Sequence, residues 1–116
     1  MKVSIITVVL NNRDYVGDCL RSVLVQDYRD IEHIIVDGGS TDGTIDVIRK
    51  FDGRISQFIN EPDYGMYDAL NKGIRLATGE VIGILHSDDF YEHPRVIEGV
   101  VNILEGEKLE IGRAHV

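Results

Sequence analysis

The sequence predicts an α/β fold: an open, mostly parallel sheet with helices on both faces. Three observations predict it. Apolar runs rich in β-branched residues alternate with stretches of helical periodicity along the chain. The apolar runs are continuous rather than alternating, as strands buried on both faces require. Each run ends in a polar stretch carrying glycine, amide or carboxylate groups, and ligands of open parallel sheets bind beyond the carboxyl ends of the strands.

Each element has its own signal. Residues 3–9 are an unbroken β-branched run and form the first strand. The opening MKVSIITVVLNN carries one Lys and turns polar with no small-residue cleavage site, so it reads as strand rather than signal peptide. Residues 14–26 place Val16, Leu20, Val23 and Leu24 on one face of an amphipathic helix. Residues 31–36 form a second buried strand, ended by DGGSTDGT, and residues 42–50 a short helix carrying Ile45, Val47 and Ile48. Residues 55–59 are a weaker strand. Residues 64–77 put Met66, Leu70, Gly73, Ile74 and Ala77 on one helical face, with Asp63 or Tyr64 at the start and Gly79 as the expected C-cap. Residues 80–85 form a further buried strand. Pro94 is expected in the first turn of a last helix reaching residue 104. Strands separated by helices imply right-handed parallel crossovers.

Composition bounds the function. A chain of 116 residues with 43% hydrophobic content builds one domain with a real core. It is acidic, with 12 Lys and Arg against 20 Asp and Glu, and the basic residues are scattered. No basic patch offers to neutralise phosphates, so nucleic acid is excluded as a main partner. Electrostatic docking on anionic lipid is disfavoured for the same reason. A negatively charged substrate would need a cation as intermediary. Cys19 is the only cysteine, which excludes an internal disulfide and a cysteine-type zinc site, and its place in an apolar helical pattern reads as a small buried hydrophobe. No segment approaches the ~18–20 apolar residues of a membrane span. The segment is expected to be soluble and cytoplasmic. The histidines lack the paired spacing of a zinc site. There is no G-x-S-x-G element, no G-x-G-x-x-G after the first strand and no P-loop lysine pattern.

Three constellations carry chemistry, each with a plainer alternative. In DGGSTDG (37–43), Asp37 at a strand tip is placed to accept hydrogen bonds from a base or sugar, and the glycines let backbone approach a ligand. The alternative is a turn in which Ser40 or Thr41 caps the next helix. Asp88-Asp89 follows a strand and supplies hard oxygen ligands for Mg²⁺ or Mn²⁺ shared with a diphosphate. The alternative is a solvated loop with Asp as a helix cap. In EPDYGMYDALNKG (61–73), Lys72 is placed either to meet a phosphate or to pair with Asp68 at i, i+4. Asn71 and Gly73 are poor helix formers, which points to close packing or a ligand.

The strand SIITVVLNN, the loop VDGGSTDGT and the stretch EPDYGMYDALNKGIRLATGEVIGILHSDD, in this order and spacing, resemble the N-terminal half of family 2 inverting glycosyltransferases of GT-A fold, over residues 2–105. The resemblance implies a Rossmann-like nucleotide-binding half. It also implies transfer with inversion from a nucleotide-diphosphate sugar, a UDP-sugar foremost, to a glycan or lipid-linked acceptor, assisted by Mg²⁺ or Mn²⁺, in cell-surface polysaccharide or glycan synthesis. Carried over by position, Thr7, Val8 and Asn11 resemble the start of the nucleotide site. Asp37, with Ser40 nearby, resembles the carboxylate that contacts the base. Asn71, Lys72 and Gly73 fall in the segment that flanks the donor diphosphate. Asp88 and Asp89 match the acidic motif that contacts metal and ribose. His86 departs from the pattern, which has an acid or asparagine there.

The general base of the family lies in its C-terminal half, and no base is assigned among the residues here. The tail EIGRAHV (110–116) reads like the translation of a common sequencing-adapter read. Residues 1–109 are therefore expected to be an incomplete nucleotide-sugar-binding part of a glycosyltransferase domain, and 110–116 a non-native tail. Such a piece would bind nucleotide weakly and transfer little sugar alone, and the whole protein would sit in the cytoplasm or peripherally at the inner membrane face. Two other classes compete. A nucleotidyltransferase-like enzyme would show a Gly-rich basic loop after the first strand, where Asn11-Asn12-Arg13-Asp14 stands instead. A non-catalytic nucleotide-binding module would bind without turnover.

Overall fold

The computed structural model describes residues 1–106 and the backbone of residues 114–115. The expectation of a non-native tail at 110–116 bears on residues that lie, apart from that backbone, outside the described ones.

The elements run β1 (Val3–Val9), α1 (Arg13–Leu24), β2 (Ile31–Asp37), α2 (Thr44–Arg49), β3 (Gln57–Asn60), α3 (Met66–Leu76), β4 (Val81–Ile84), α4 (Val96–Gly106) and β5 (Ala114–His115). The strands form one sheet in the order β3-β2-β1-β4-β5, and every pairing is parallel. The chain winds outward from β1 through β2 to β3, then returns to lay β4 on the other side of β1. The register Val9↔Asp37 and Asp37↔Asn60 brings three strand ends to one edge.

β1 is fully buried because both its faces are covered. Its odd residues Val3, Ile5 and Val9 pack with Cys19, Leu20 and Val23 of α1, Ile48 of α2 and Ile97 and Val101 of α4. Its even residues Ile6 and Val8 pack with Ala69 of α3 and with Ala77 just beyond it. Each fully buried Ile or Val contributes roughly 1.5–3 kcal/mol of transfer free energy. The core therefore fixes β1 most firmly, and the site hangs from its end.

Three local expectations are corrected. Gly79 does not cap α3; a Cβ there would lie 2.6 Å from Ser4 Oγ and 2.7 Å from Ser4 N, so glycine is needed for close approach to β1. Pro94 precedes α4 rather than sitting in its first turn, and its carbonyl accepts the Asp27 amide at 2.7 Å. α3 begins at Met66, two residues later than Tyr64, because Gly65 (φ 108°) turns the chain in a way only glycine adopts freely.

Candidate functional site

The sheet order reverses between β1 and β4, so their carboxyl ends diverge into a crevice, the usual ligand site of open parallel sheets. A cavity of about 490 Å³ lies there. The end of β1 and its loop (Val8 to Asn12) form one wall, His86, Ser87 and Asp88 after β4 a second, and Asp63, Gly65, Met66 and Ala69 a third, with Tyr15 of α1 beside them.

Asn11 and Asn12 organise the β1 wall. Asn11 takes the left-handed conformation (φ 49°), which asparagine tolerates better than most residues. That turns its amide N–H to donate to Ser40 Oγ at 2.8 Å, while its Oδ1 accepts the Thr41 N–H at 2.8 Å. Asn12 N–H donates to Thr44 Oγ1 at 2.9 Å, and its Nδ2 donates to Ser87 Oγ at 2.9 Å. Two adjacent amides thus tie the loop after β2 and the loop after β4 to the end of β1.

The expected site residues divide into three groups. Val8, Asn11 and Asp88 line the cavity. Asp89 is exposed in the same turn, closed by its N–H to His86 O at 2.9 Å. Among the described residues no hydrogen bond or ion pair reaches the carboxylate of Asp88 or Asp89. Thr7, Asp37 and Ser40 lie behind the wall. Thr7 is fully buried, its hydroxyl 2.8 Å from His33 Nε2. Asp37 is also fully buried; Oδ1 accepts the Gly39 and Ser40 N–H groups and Oδ2 the Ser40 hydroxyl, at 2.6 to 2.8 Å. Its carboxylate shapes the glycine loop. Ser40 accordingly bonds back to Asp37 and does not cap α2.

Asn71, Lys72 and Gly73 are not in the cavity wall. Asn71 is exposed. Lys72 Nζ sits 3.0 Å from Glu61 and 3.5 Å from Asp68 and donates to Pro62 O at 3.2 Å. The Glu61 bond, opposed by desolvation and helped by Asp68, holds the ammonium above its ordinary value. Gly73 lies where α3 meets β1, since a Cβ there would lie 2.5 Å from Ile6 Cγ2. Close packing explains this glycine.

Beneath the acidic turn, Cys19 Sγ donates to His86 O at 3.5 Å. Burial pushes the thiol up to about 11 against the Thr7 hydrogen bond, with the charges of Asp89 and Asp88 adding to the rise, so it stays a protonated donor. Sequence reasoning put Asn12, Ser87 and Asp63 on the polar edge beyond the strands without naming them as site residues, and missed Tyr15 and Met66 as wall residues. Their common signal is position just past a strand end or at the start of a helix facing that edge.

An open parallel sheet with a polar cavity at its switch point places the molecule among α/β proteins that bind a ligand beyond the carboxyl ends of their strands. The chain belongs to glycosyl transferase family 2, whose model matches residues 4–113. An uncharacterized glycosyltransferase of Mycobacterium tuberculosis H37Rv is 39% identical over 106 residues, covering 90% of this chain and 40% of the relative. A PGL/p-HBAD biosynthesis glycosyltransferase of Mycobacterium bovis BCG is 39% identical over 89 residues, covering 74% of this chain and 35% of the relative. The chain thus spans well under half the length of these relatives. Among solved structures, S. aureus TarS 1-349 in complex with UDP-GlcNAc has the same fold, with TM-score 0.84 at 23% identity over 93% of this chain and 32% of that one. Mannosyltransferase PcManGT from Pyrobaculum calidifontis, in complex with GDP-Man and Mn²⁺, matches with TM-score 0.82 at 27% identity over 89% of this chain and 32% of that one. The GT-A, Rossmann-like architecture expected from sequence is the one observed. Among the described residues no helix is long and apolar enough to cross a membrane.

Proposed function

We propose that the chain is the donor-binding half of an inverting glycosyltransferase that takes sugar from a nucleotide-diphosphate sugar, a UDP-sugar foremost. The sugar passes to a hydroxyl of a glycan or lipid-linked acceptor in cell-surface polysaccharide or glycan synthesis, on the cytoplasmic side of the membrane. One observation carries this reading: the switch-point cavity joins the amide-rich end of β1 to the carboxylate of Asp88, which has no hydrogen-bond or ion-pair partner among the described residues. Family membership supports it, as do the UDP-GlcNAc and GDP-Man complexes of proteins with the same fold.

In this reading Val8 and Asn11 contact the nucleotide directly, while Thr7, Asp37 and Ser40 fix the wall behind them. Asn71, Lys72 and Gly73 belong to the helix that flanks the diphosphate. Val8, Val9 and Ala69 keep one side of the bound donor dry.

A divalent cation fits the residues present. Among the described residues no group of three or more His, Cys, Asp or Glu is placed to hold a metal. Two adjacent exposed carboxylates are nevertheless enough for Mg²⁺ or Mn²⁺, which bind through one or two carboxylates plus substrate phosphates. Asp88 and Asp89 would hold it, and once bound it would stabilise negative charge on the departing diphosphate. The carboxylate that accepts the acceptor's proton is assigned to the part of the relatives' length that this chain does not span.

Calorimetric titration with UDP, with and without Mn²⁺, tests the reading. Affinity should rise with metal, and Asp88→Asn or Asp89→Asn should cut that rise at least about tenfold, the scale on which metal-site substitutions act. Equal affinities with and without metal, or an unchanged rise in both variants, would refute the metal assignment.

A further inference from the structure

Resting on the donor-binding reading, we infer that Asn12 is a positioning residue whose side chain sets the place of the Asp88-Asp89 turn relative to the end of β1. The two carboxylates cannot fix their own turn, since among the described residues neither has a hydrogen-bond or ion-pair partner. Behind them, Leu85 N–H donates to Ile6 O at 2.9 Å and Cys19 Sγ to His86 O at 3.5 Å, which hold the backbone up to His86. The Asp89 N–H to His86 O bond closes the turn without tying it to anything else. The bond that reaches the residue beside Asp88 from another element is Asn12 Nδ2 to Ser87 Oγ, at 2.9 Å.

Asn12 is itself held on both sides. Its N–H donates to Thr44 Oγ1 at 2.9 Å, and its carbonyl accepts the Val16 N–H at 3.1 Å in the first turn of α1. The next residue is tied too, by Arg13 N–H to Asp42 at 3.3 Å. A side chain on so fixed a backbone acts as a strut. Its chemistry suits the place: the neutral amide donates to Ser87 without repelling a cation as an ammonium would. Ser87 is buried and lines the cavity, so the strut meets the turn from inside the site. Asn12 therefore acts on Asp88 through Ser87. Beyond the turn Tyr91 N–H donates to Ser22 Oγ of α1 at 3.1 Å, so removal of Asn12 leaves the acidic turn closed and anchored at both ends but released from the β1 wall between them.

The test measures UDP affinity with and without Mn²⁺, and the ratio of the two, in wild type, Asn12→Ala, Ser87→Ala, the double variant and Asp88→Asn. Thermal midpoints verify that each variant is folded at the assay temperature. Asn12→Ala and Ser87→Ala should each lower the ratio about five- to tenfold, the scale of one buried hydrogen bond. The double variant should fall no further than either single one, because both remove the same bond. A ratio that stays at the wild-type value in Asn12→Ala while falling in Asp88→Asn would overturn the positioning role alone. So would single losses that multiply in the double variant. A wild-type ratio of one with UDP still bound would overturn the metal assignment and this inference together, whereas no UDP binding with or without Mn²⁺ would overturn the donor reading itself.

Discussion

His33 stands in the middle of β2 with its ring buried and its Nε2 2.8 Å from the Thr7 hydroxyl on β1. Burial pushes the imidazole down to about 4 from its ordinary 6.5. The folded protein therefore keeps it neutral where the unfolded chain would protonate it. Stability from this group is intact above pH 6.5 and is lost as pH falls from there toward 4, by on the order of 3 kcal/mol. Glu32 behaves differently. Burial raises its carboxyl, but hydrogen bonds from Thr78 and Ser4 and the charge of Lys2 outweigh it and leave the group lowered. Its contribution is lost only as pH falls below its ordinary 4.5, so the window from 6.5 to 5 belongs to His33. Denaturant midpoints measured from pH 7 to 5 should fall in wild type and stay nearly flat in His33→Gln; parallel curves would refute the assignment. Burial of Thr7, Cys19 and His33 was legible in the strand and helix patterns. Their partners were not, because Thr7 and His33 are 26 residues apart and only the β1-β2 register brings them together.

At the scale of elements, two glycines set how closely α3 and the start of β4 approach β1. Gly73→Ala should destabilise the protein by about 1–2 kcal/mol even though Ala is the better helix former, because the methyl would meet Ile6 Cγ2 in a packed core. Gly79→Ala should cost more, since the obstructing atoms include the backbone of Lys2 and Ser4, which cannot rotate away. Urea midpoints rank the two variants, and a Gly73→Ala protein as stable as wild type would show that Ile6 yields. The sequence marks Gly73 as costly in a helix and leaves packing and ligand both open; the structure shows the packing, against Ile6. Gly79 was read as a cap because position after a helix is the only cue the sequence offers, whereas its purpose lies across the sheet in Ser4. The helix start near Pro94 shifted for a like reason, since Pro94 O accepts the Asp27 N–H, a contact that periodicity does not contain; the start near Tyr64 shifted because Gly65 turns the chain.

The whole molecule carries a formal charge of −8, and Lys72, the basic group expected near the diphosphate, is engaged by Glu61 and Asp68. A nucleotide diphosphate thus approaches against the field unless a cation accompanies it. Metal-free UDP affinity should accordingly rise as KCl is raised from low to physiological ionic strength, since salt screens repulsion. A fall would reveal a cationic phosphate site. Alternation of strands and helices made the parallel sheet and its polar edge legible. It did not show that β4 lies beside β1, away from β2, and that choice alone creates the crevice.

The strand order also fixes when the site exists during synthesis. β1, β2 and β3 pair in the order they leave the ribosome, each a short excursion from the last. The wall containing Ser87 and Asp88 meets Asn12 only after 75 further residues have been made, when β4 inserts against β1. A nascent chain that has already built its three-stranded half presents Asn12 with no Ser87 to hold and no crevice for a nucleotide. On the proposed donor-binding reading, the site would be gained in one late step, and UDP with Mn²⁺, as a ligand of the form with β4 docked, would draw that step toward completion.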